Sequence, residues 1–488
     1  MLLLVTGFAS SIIAARLLGP EANGIIAFSL WLSATGALVA ELGTGVILLR
    51  MLPQLRAEGY DPAQRRGFAA FLVTPTLIST AVLAVLYWLF FVASEELHWA
   101  ETAPEIALVT GILFVIQSIG AFAKNYLIGE QRLGVFFRLT LVAAVIQIFT
   151  VATGAVLLGV VGALVGYAAG QFVLFAYTLT IIIHKRDRCG VSVRFLATSS
   201  LILSAEFIID SIFLNRLEIL FIQQFWTVEV VGFYAVSLSL ANLALQLPIQ
   251  LTGSLLPYYS QERHKGDDAG LSPQAFAGVI RALAYITMPM SLGLAAISET
   301  LVTVVFGEPF RPAGTIVALL ALSSPAYVLA QILTLYLFSI DRAKSRLFVA
   351  ILGAIILVAG STVVVPQFGG EGAAVVRIVV FTLMAAIMLR QTGFGPRLGP
   401  LYGALLKVTL ASLLVAGAAW AVLEMLDGAV GLVLAIAAGA LVYPVALKLL
   451  RAVPAEDRDV MVNFAGATPG RLKGPLRSFV LFVAPVRS

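Results

Sequence analysis

The chain has 488 residues, 60% of them hydrophobic and only 12% charged, with a mean hydropathy of +1.00 and a formal charge of +5. A soluble globular chain carries about 25% charged residues, so the solvent of this one is mostly lipid, and no soluble stretch is large enough to carry chemistry of its own. The single cysteine, Cys189, excludes disulfides and Cys-based metal sites. The three histidines, His98, His184 and His264, stand far apart without ligand spacing.

Apolar runs long enough to cross a bilayer, about 17–25 residues each, recur almost without pause. They predict fourteen spans at 1–18, 22–49, 68–93, 104–128, 136–158, 161–183, 197–225, 230–257, 275–305, 313–338, 346–365, 369–389, 401–424 and 428–450. The expected fold is therefore all-α and polytopic. Connections alternate between a basic and a nearly cation-free kind. Runs such as Lys185, Arg186, Arg188 and Arg194 belong to the first, and Glu95, Glu96, Glu101 and Glu105 to the second. Cytoplasmic loops retain positive charge, which places both termini in the cytoplasm. Topology and anionic lipid thus account for the basic excess without nucleic acid. All but four of the 31 Lys and Arg fall in the basic set; the four are Arg16, Arg216, Arg311 and Arg377.

The sequence repeats itself. A shift of 208 lays Glu21–Leu32 over Glu229–Leu240 with six of the twelve positions identical, Gly24/Gly232 and Ser29/Ser237 among them, and Pro104 over Pro312. A shift of 210 then pairs Tyr126 with Tyr336, Arg132 with Arg342, Gly159 with Gly369 and Gly162 with Gly372. The repeat predicts two parallel six-helix lobes, 1–183 and 197–390, joined by a cytoplasmic linker 184–196. The plan is that of parallel-repeat transporters. Two extra helices follow in 401–450, and a basic tail, 451–488, reads as a membrane-surface segment or a partly disordered end. The counterpart of the start of span 7 would precede Met1, which predicts about ten further residues upstream by the helix-length argument.

Intramembrane charge points to function, because a charge in hydrocarbon persists only for a use or a partner. Span 7 is densest, with Glu206, Asp210, Asn215, Arg216 and Glu218. One reading has Arg16, Arg216 and Arg377 converging on a phosphate or pyrophosphate through charge-assisted hydrogen bonds. Asp210, Glu206 and Glu218 are then candidates for coupling a proton or cation. The alternative is structural: Arg16 snorkels to the interface and Arg216 pairs with Asp210 or Glu218. Gly162, Gly166 and Gly170 read as helix packing, and Pro248, Pro289 and Pro325 as kinks. No phosphate-cradling glycine loop, HExxH or nucleophile elbow is present, so neither an enzyme nor a metal or cofactor is expected.

Ala15-Arg16-Leu17-Leu18-Gly19-Pro20-Glu21-Ala22-Asn23-Gly24 resembles the A-R-x-L-G-P-x-x-[YF]-G signature of bacterial polysaccharide flippases, with Asn23 where an aromatic is usual. Glu41-Leu42-Gly43-Thr44-Gly45 looks like their acidic-L-G-x-G element. Asn215–Ile222, Val231–Tyr234 and Leu256-Pro257 resemble the start of their second lobe. These are the oligosaccharide-lipid flippases of the multidrug/oligosaccharidyl-lipid/polysaccharide (MOP) exporter superfamily. The resemblance implies a central cationic cavity, with Arg16 and Arg216 as cavity residues; Arg377 rests on charge alone. It also implies alternating access for a polyprenyl-pyrophosphate-linked glycan in the bacterial inner membrane. The expected partners are that lipid-linked glycan, membrane lipids and polysaccharide polymerase or chain-length proteins, around a monomer. Rival readings are a cation-coupled multidrug exporter, a peptidoglycan-precursor flippase and a membrane glycan polymerase or ligase.

Overall fold

The computed structural model describes residues 2–93, 104–196, 208–214, 216–253, 255, 259, 272–340, 342–394, 399–467 and 473–484. Among them the secondary structure is helical and no strand occurs. In order these are α1 (Leu2–Glu41), α2 (Thr44–Ala57), α3 (Pro62–Ala93), α4 (Pro104–Gly129), α5 (Leu133–Ile182), α6 (Leu217–Phe225) and α7 (Val228–Thr252). Then follow α8 (Pro273–Phe306), α9 (Ala313–Ser339), α10 (Ala343–Thr392), α11 (Gly399–Leu423), α12 (Gly428–Leu449), α13 (Ala455–Ala467) and α14 (Lys473–Val483). Ten are long and apolar enough to cross a membrane. Large apolar side chains lie on the surface, Leu157 at 77% and Leu441 at 73% exposure. Water would not tolerate them on this scale, and lipid does.

Two of the helices, α5 and α10, have 50 residues. At 1.5 Å per residue each would reach about 75 Å, against a hydrocarbon core of about 30 Å, so each must turn. The turns fall on Gly159 (φ 58°, ψ −132°) and Gly369 (φ 55°, ψ −133°), a conformation nearly closed to residues with a Cβ. Beyond Gly159 the chain runs back on itself: Gly162 touches Gly154, Gly166 touches Val151 and Gly170 touches Gln147. The small-residue stripe therefore does pack helix on helix. In α10, Gly360 likewise meets Val376, and Gly372 meets Val364. The turns coincide under the shift of 210, and so do the residues that open the two helices, Arg132 (φ −89°, ψ 51°) and Arg342 (φ −98°, ψ 37°). Tyr126 and Tyr336 are both buried, as are Phe68 and Phe276, a matched pair that the sequence comparison overlooked.

The chain forms two compact units, Met1–Ala235 and Val236–Ser488. In the first, α2 to α5 enclose Leu52, Phe68, Phe122 and Ile181. Arg65 holds Glu130 bidentately at 2.8 and 3.0 Å and donates to the Tyr60 carbonyl. The second half of α1 meets the start of α7 backbone to backbone. A Cβ on Gly24 would lie 1.9 Å from the Val228 oxygen, and one on Gly232 would lie 2.3 Å from the Pro20 oxygen. Asn23, in the place of the usual aromatic, points its amide at the Gly232 carbonyl, 3.5 Å away.

In the second unit α8 to α12 pack together, and Arg311 forms a surface ion pair with Glu299 at 2.6 Å. Pro248, Pro289 and Pro325 lie inside uninterrupted helices α7, α8 and α9. The expected surface tail is in part a packed element. Asp457, in the first turn of α13, is buried and takes two hydrogen bonds from Arg281 of α8, at 2.7 and 2.6 Å, and one from the Tyr285 hydroxyl at 2.7 Å. Tyr443 of α12 donates to the Tyr285 carbonyl, and Val483 of α14 reaches the same cluster. Arg65, Arg281 and Arg346, read from the sequence as loop cations, are buried side chains in helices; the planar heads of Arg65 and Arg281 meet carboxylates within the fold, and Arg346 lies 5.8 Å from the Phe338 ring centre.

Two outcomes follow. Gly24→Val forces the helices apart and costs about 1–3 kcal/mol, seen as a lower thermal midpoint in detergent; Gly7→Ala, with nothing within 4 Å, leaves the midpoint unchanged. Asp457→Ala leaves the buried Arg281 only the exposed Glu456 carboxylate, 3.5 Å away, and costs about 3 kcal/mol by the same measurement.

Candidate functional site

The flippase-like signature gains a physical meaning at Gly19. This residue sits at φ 84°, ψ 179°, a region essentially reserved for glycine. Nothing lies within 4 Å of where its Cβ would be, so conformation alone selects glycine there. Pro20 then opens the second half of α1, where a missing N–H costs nothing. Arg16 stands one turn before this break with an exposed side chain.

The described part of span 7 is not one continuous α-helix. A π-helical turn, Ile209–Phe213, carries Asp210; the backbone then leaves helical geometry at Arg216 (φ −141°) before α6 begins. π-turns and breaks recur at functional positions. Trp31 of α1 donates its indole N–H to the Arg216 carbonyl at 2.6 Å, which ties α1 to the residue that caps α6. Trp31 itself stacks on Phe28 at 5.4 Å. The Asp210 and Arg216 side chains are half-buried, and Glu218 is 1% exposed. Glu206 and Asn215 lie outside the described residues.

Arg377 is in the second unit, on the returning half of α10 about two turns beyond Gly369. It is 6% exposed, with its guanidinium 5.1 Å from the Phe381 ring centre. The structure thus ties Arg216 to Trp31 and gathers Asp210, Arg216 and Glu218 on one broken segment. Arg16 lies on the other half of α1 from Trp31. Sequence reasoning missed Trp31; an indole amid apolar residues, opposite a helix broken by charges, was the available signal.

The second motif is built on a carboxylate. Leu42 (φ 48°) and Gly43 (φ 68°) turn the backbone between α1 and α2. Glu41 accepts from the Asn125 amide of α4, and a Cβ on Gly45 would lie 1.8 Å from the Glu41 Oε1. Gly45 thus leaves room for the Glu41–Asn125 contact, whereas Gly43 serves conformation. Thr44 closes the turn by donating to the Glu41 carbonyl at 2.8 Å. No group of three or more His, Cys, Asp or Glu able to hold a metal occurs among the described residues.

Residues 13–315 match the family model described as "Polysaccharide biosynthesis protein". The chain belongs to that family. No curated protein sequence matches it. Among solved structures, the lipid II flippase MurJ in its inward closed conformation aligns with a TM-score of 0.72 at 14% identity, over 91% of this chain and 96% of that one. An inward-facing multidrug resistance MATE family transporter of the MOP superfamily aligns at 0.61, also with 14% identity, over 82% and 96%. This polysaccharide biosynthesis family member is therefore a multi-pass membrane protein with the fold of MOP transporters.

Gly45→Ala should displace the Glu41 carboxylate from Asn125 and destabilise the first unit by about 1–3 kcal/mol. Thermal unfolding in detergent measures it, and Asn125→Ala in the Gly45→Ala background should then add little, because the two changes disrupt one contact.

Proposed function

We propose that the chain is a flippase that moves polyprenyl-pyrophosphate-linked oligosaccharide from the inner to the outer leaflet of a bacterial inner membrane, for surface polysaccharide synthesis. The observation that carries this reading is the polysaccharide biosynthesis family match over 13–315, borne on a transporter fold. The two six-helix lobes read from the repeat, 1–183 and 197–390, would alternate access to a cavity between them, with both termini cytoplasmic. Sugar and pyrophosphate occupy the cavity while the prenyl chain stays in lipid. Arg16, Arg216 and Arg377 supply positive charge where two phosphates must leave water, since an arginine fork meets phosphate oxygens bidentately. Asp210, Glu206 and Glu218 are the carboxylates available to couple a cation or proton to the cycle. In this reading the chain catalyses no covalent step.

The test is a deletion strain in which lipid-linked oligosaccharide is quantified on each leaflet, with wild type, Arg216→Ala or Arg377→Ala restored. The expected result is accumulation on the inner leaflet, relieved by wild type and by neither variant. Relief by both variants removes the arginines from the site while keeping the flippase. Unchanged lipid-linked glycan, with altered sensitivity to cationic drugs, overturns the flippase reading in favour of an exporter.

A further inference from the structure

In the first unit, a groove of about 560 Å³ opens between α3, the turn after α1 and the linker that follows α5. Its volume lies within the range of small-molecule sites, about 300–1,000 Å³. The wall on α3 is an apolar stripe, Phe71, Pro75, Ile78 and Val82, at the spacing of one helix face. Pro75 has no N–H for the Phe71 carbonyl, which loosens the helix where the groove is lined. Leu42, in its left-handed conformation, closes one end. Ile78 is 61% and Val82 52% exposed, and the stripe continues along α3 through the exposed Val85, Leu86 and Leu89. The groove therefore opens sideways to hydrocarbon.

The one charged residue lining it is Arg186. Among the described residues no hydrogen-bond or ion-pair partner holds its guanidinium. The linker that presents it is nonetheless tied down. Asp187 donates its N–H to the Gly67 carbonyl at 3.1 Å and accepts from the Cys189 N–H at 3.0 Å; Tyr60 donates to the Cys189 carbonyl at 3.0 Å. A Cβ on Gly67 would lie 2.7 Å from the Lys185 oxygen, so glycine there admits the linker. A cation with no ion-pair partner among the described residues, presented on a tied linker beside a laterally open apolar groove, fits a lipid with one negative phosphate and an acyl chain.

We propose that this groove binds an anionic phospholipid of the leaflet at which the linker lies, with one acyl chain along α3 and its phosphate on Arg186. A single arginine matches a single phosphodiester charge; it leaves a pyrophosphate half-neutralised, which favours phospholipid over the lipid-linked glycan. The site is separate from the arginines of the proposed cavity.

The test is native mass spectrometry of the full-length protein with phosphatidylglycerol or phosphatidylcholine of identical chains. One phosphatidylglycerol should be retained in preference to phosphatidylcholine. Arg186→Gln should lower that preference about fivefold, the effect of one cation at an anionic surface, and Ile78→Trp should fill the groove and lower retention of both lipids. Arg188→Gln, which removes the same charge outside the groove, should change neither. A third variant tests the linker. Burial pushes the Cys189 thiol up to about 11, so maleimide should react slowly at pH 8 with the wild type. Gly67→Val should speed that reaction and lose the lipid preference together. The proposal is overturned by equal retention of the two lipids, by an Arg188→Gln loss as large as that of Arg186→Gln, or by tighter retention of undecaprenyl phosphate through the same two residues. None of these outcomes bears on leaflet-specific glycan accumulation, so the flippase reading stands or falls by its own assay.

Discussion

In hydrocarbon a backbone N–H or C=O released from a helix has no water to receive it, and the design of this chain follows from that constraint. Changes of direction between successive spans are correspondingly short and leave few orphaned groups. Gly159 and Gly369 each reverse the chain within a single non-helical residue, and Gly19 breaks α1 in the same way. At the break before α6, the Trp31 indole binds the Arg216 carbonyl across to α1.

The same constraint explains why polar groups cluster. Thr44 and Thr76 share a hydrogen bond at 2.9 Å, and Thr80 and Ser118 one at 2.6 Å, all within the first unit. Buried arginines behave alike. Arg65 reaches Glu130 and Arg281 reaches Asp457, each through two guanidinium nitrogens. Such pairs stabilise little over an apolar substitute, but losing one partner is costly, so they fix which helix ends belong together.

The helical, polytopic class and the internal repeat were legible because they rest on long-range statistics: hydropathy for the first, matched Gly, Arg and Tyr for the second. The turn at Gly159 could be anticipated because its match, Gly369, stood in the same place in the second copy. The buried arginines were misread because position in sequence separates a loop cation from a helix-end cation by only a few residues. What tells Arg281 apart is a carboxylate 176 residues later, and nothing local announces it. The contact between the tail and α8 was not legible either, because Asp457, which takes the Arg281 hydrogen bonds, looks in sequence like any other acid. At the candidate site, Arg216 and Asp210 were visible as charges in an apolar run. The π-turn that carries Asp210 was not, because composition does not separate a π-turn from an α-turn.

The separation between Arg281 and Asp457 also has a meaning in time. At synthesis rates of about 5–20 residues per second, roughly 10–35 s pass between the appearance of the cation and that of its partner. Throughout that interval the base of α8 carries a charge that no later helix has yet neutralised. The arrival of α13 is what resolves it, so a late segment closes part of the second unit. A polypeptide that stops short of Asp457 keeps an unmatched guanidinium at a helix end, a physical mark that distinguishes an unfinished copy from a finished one.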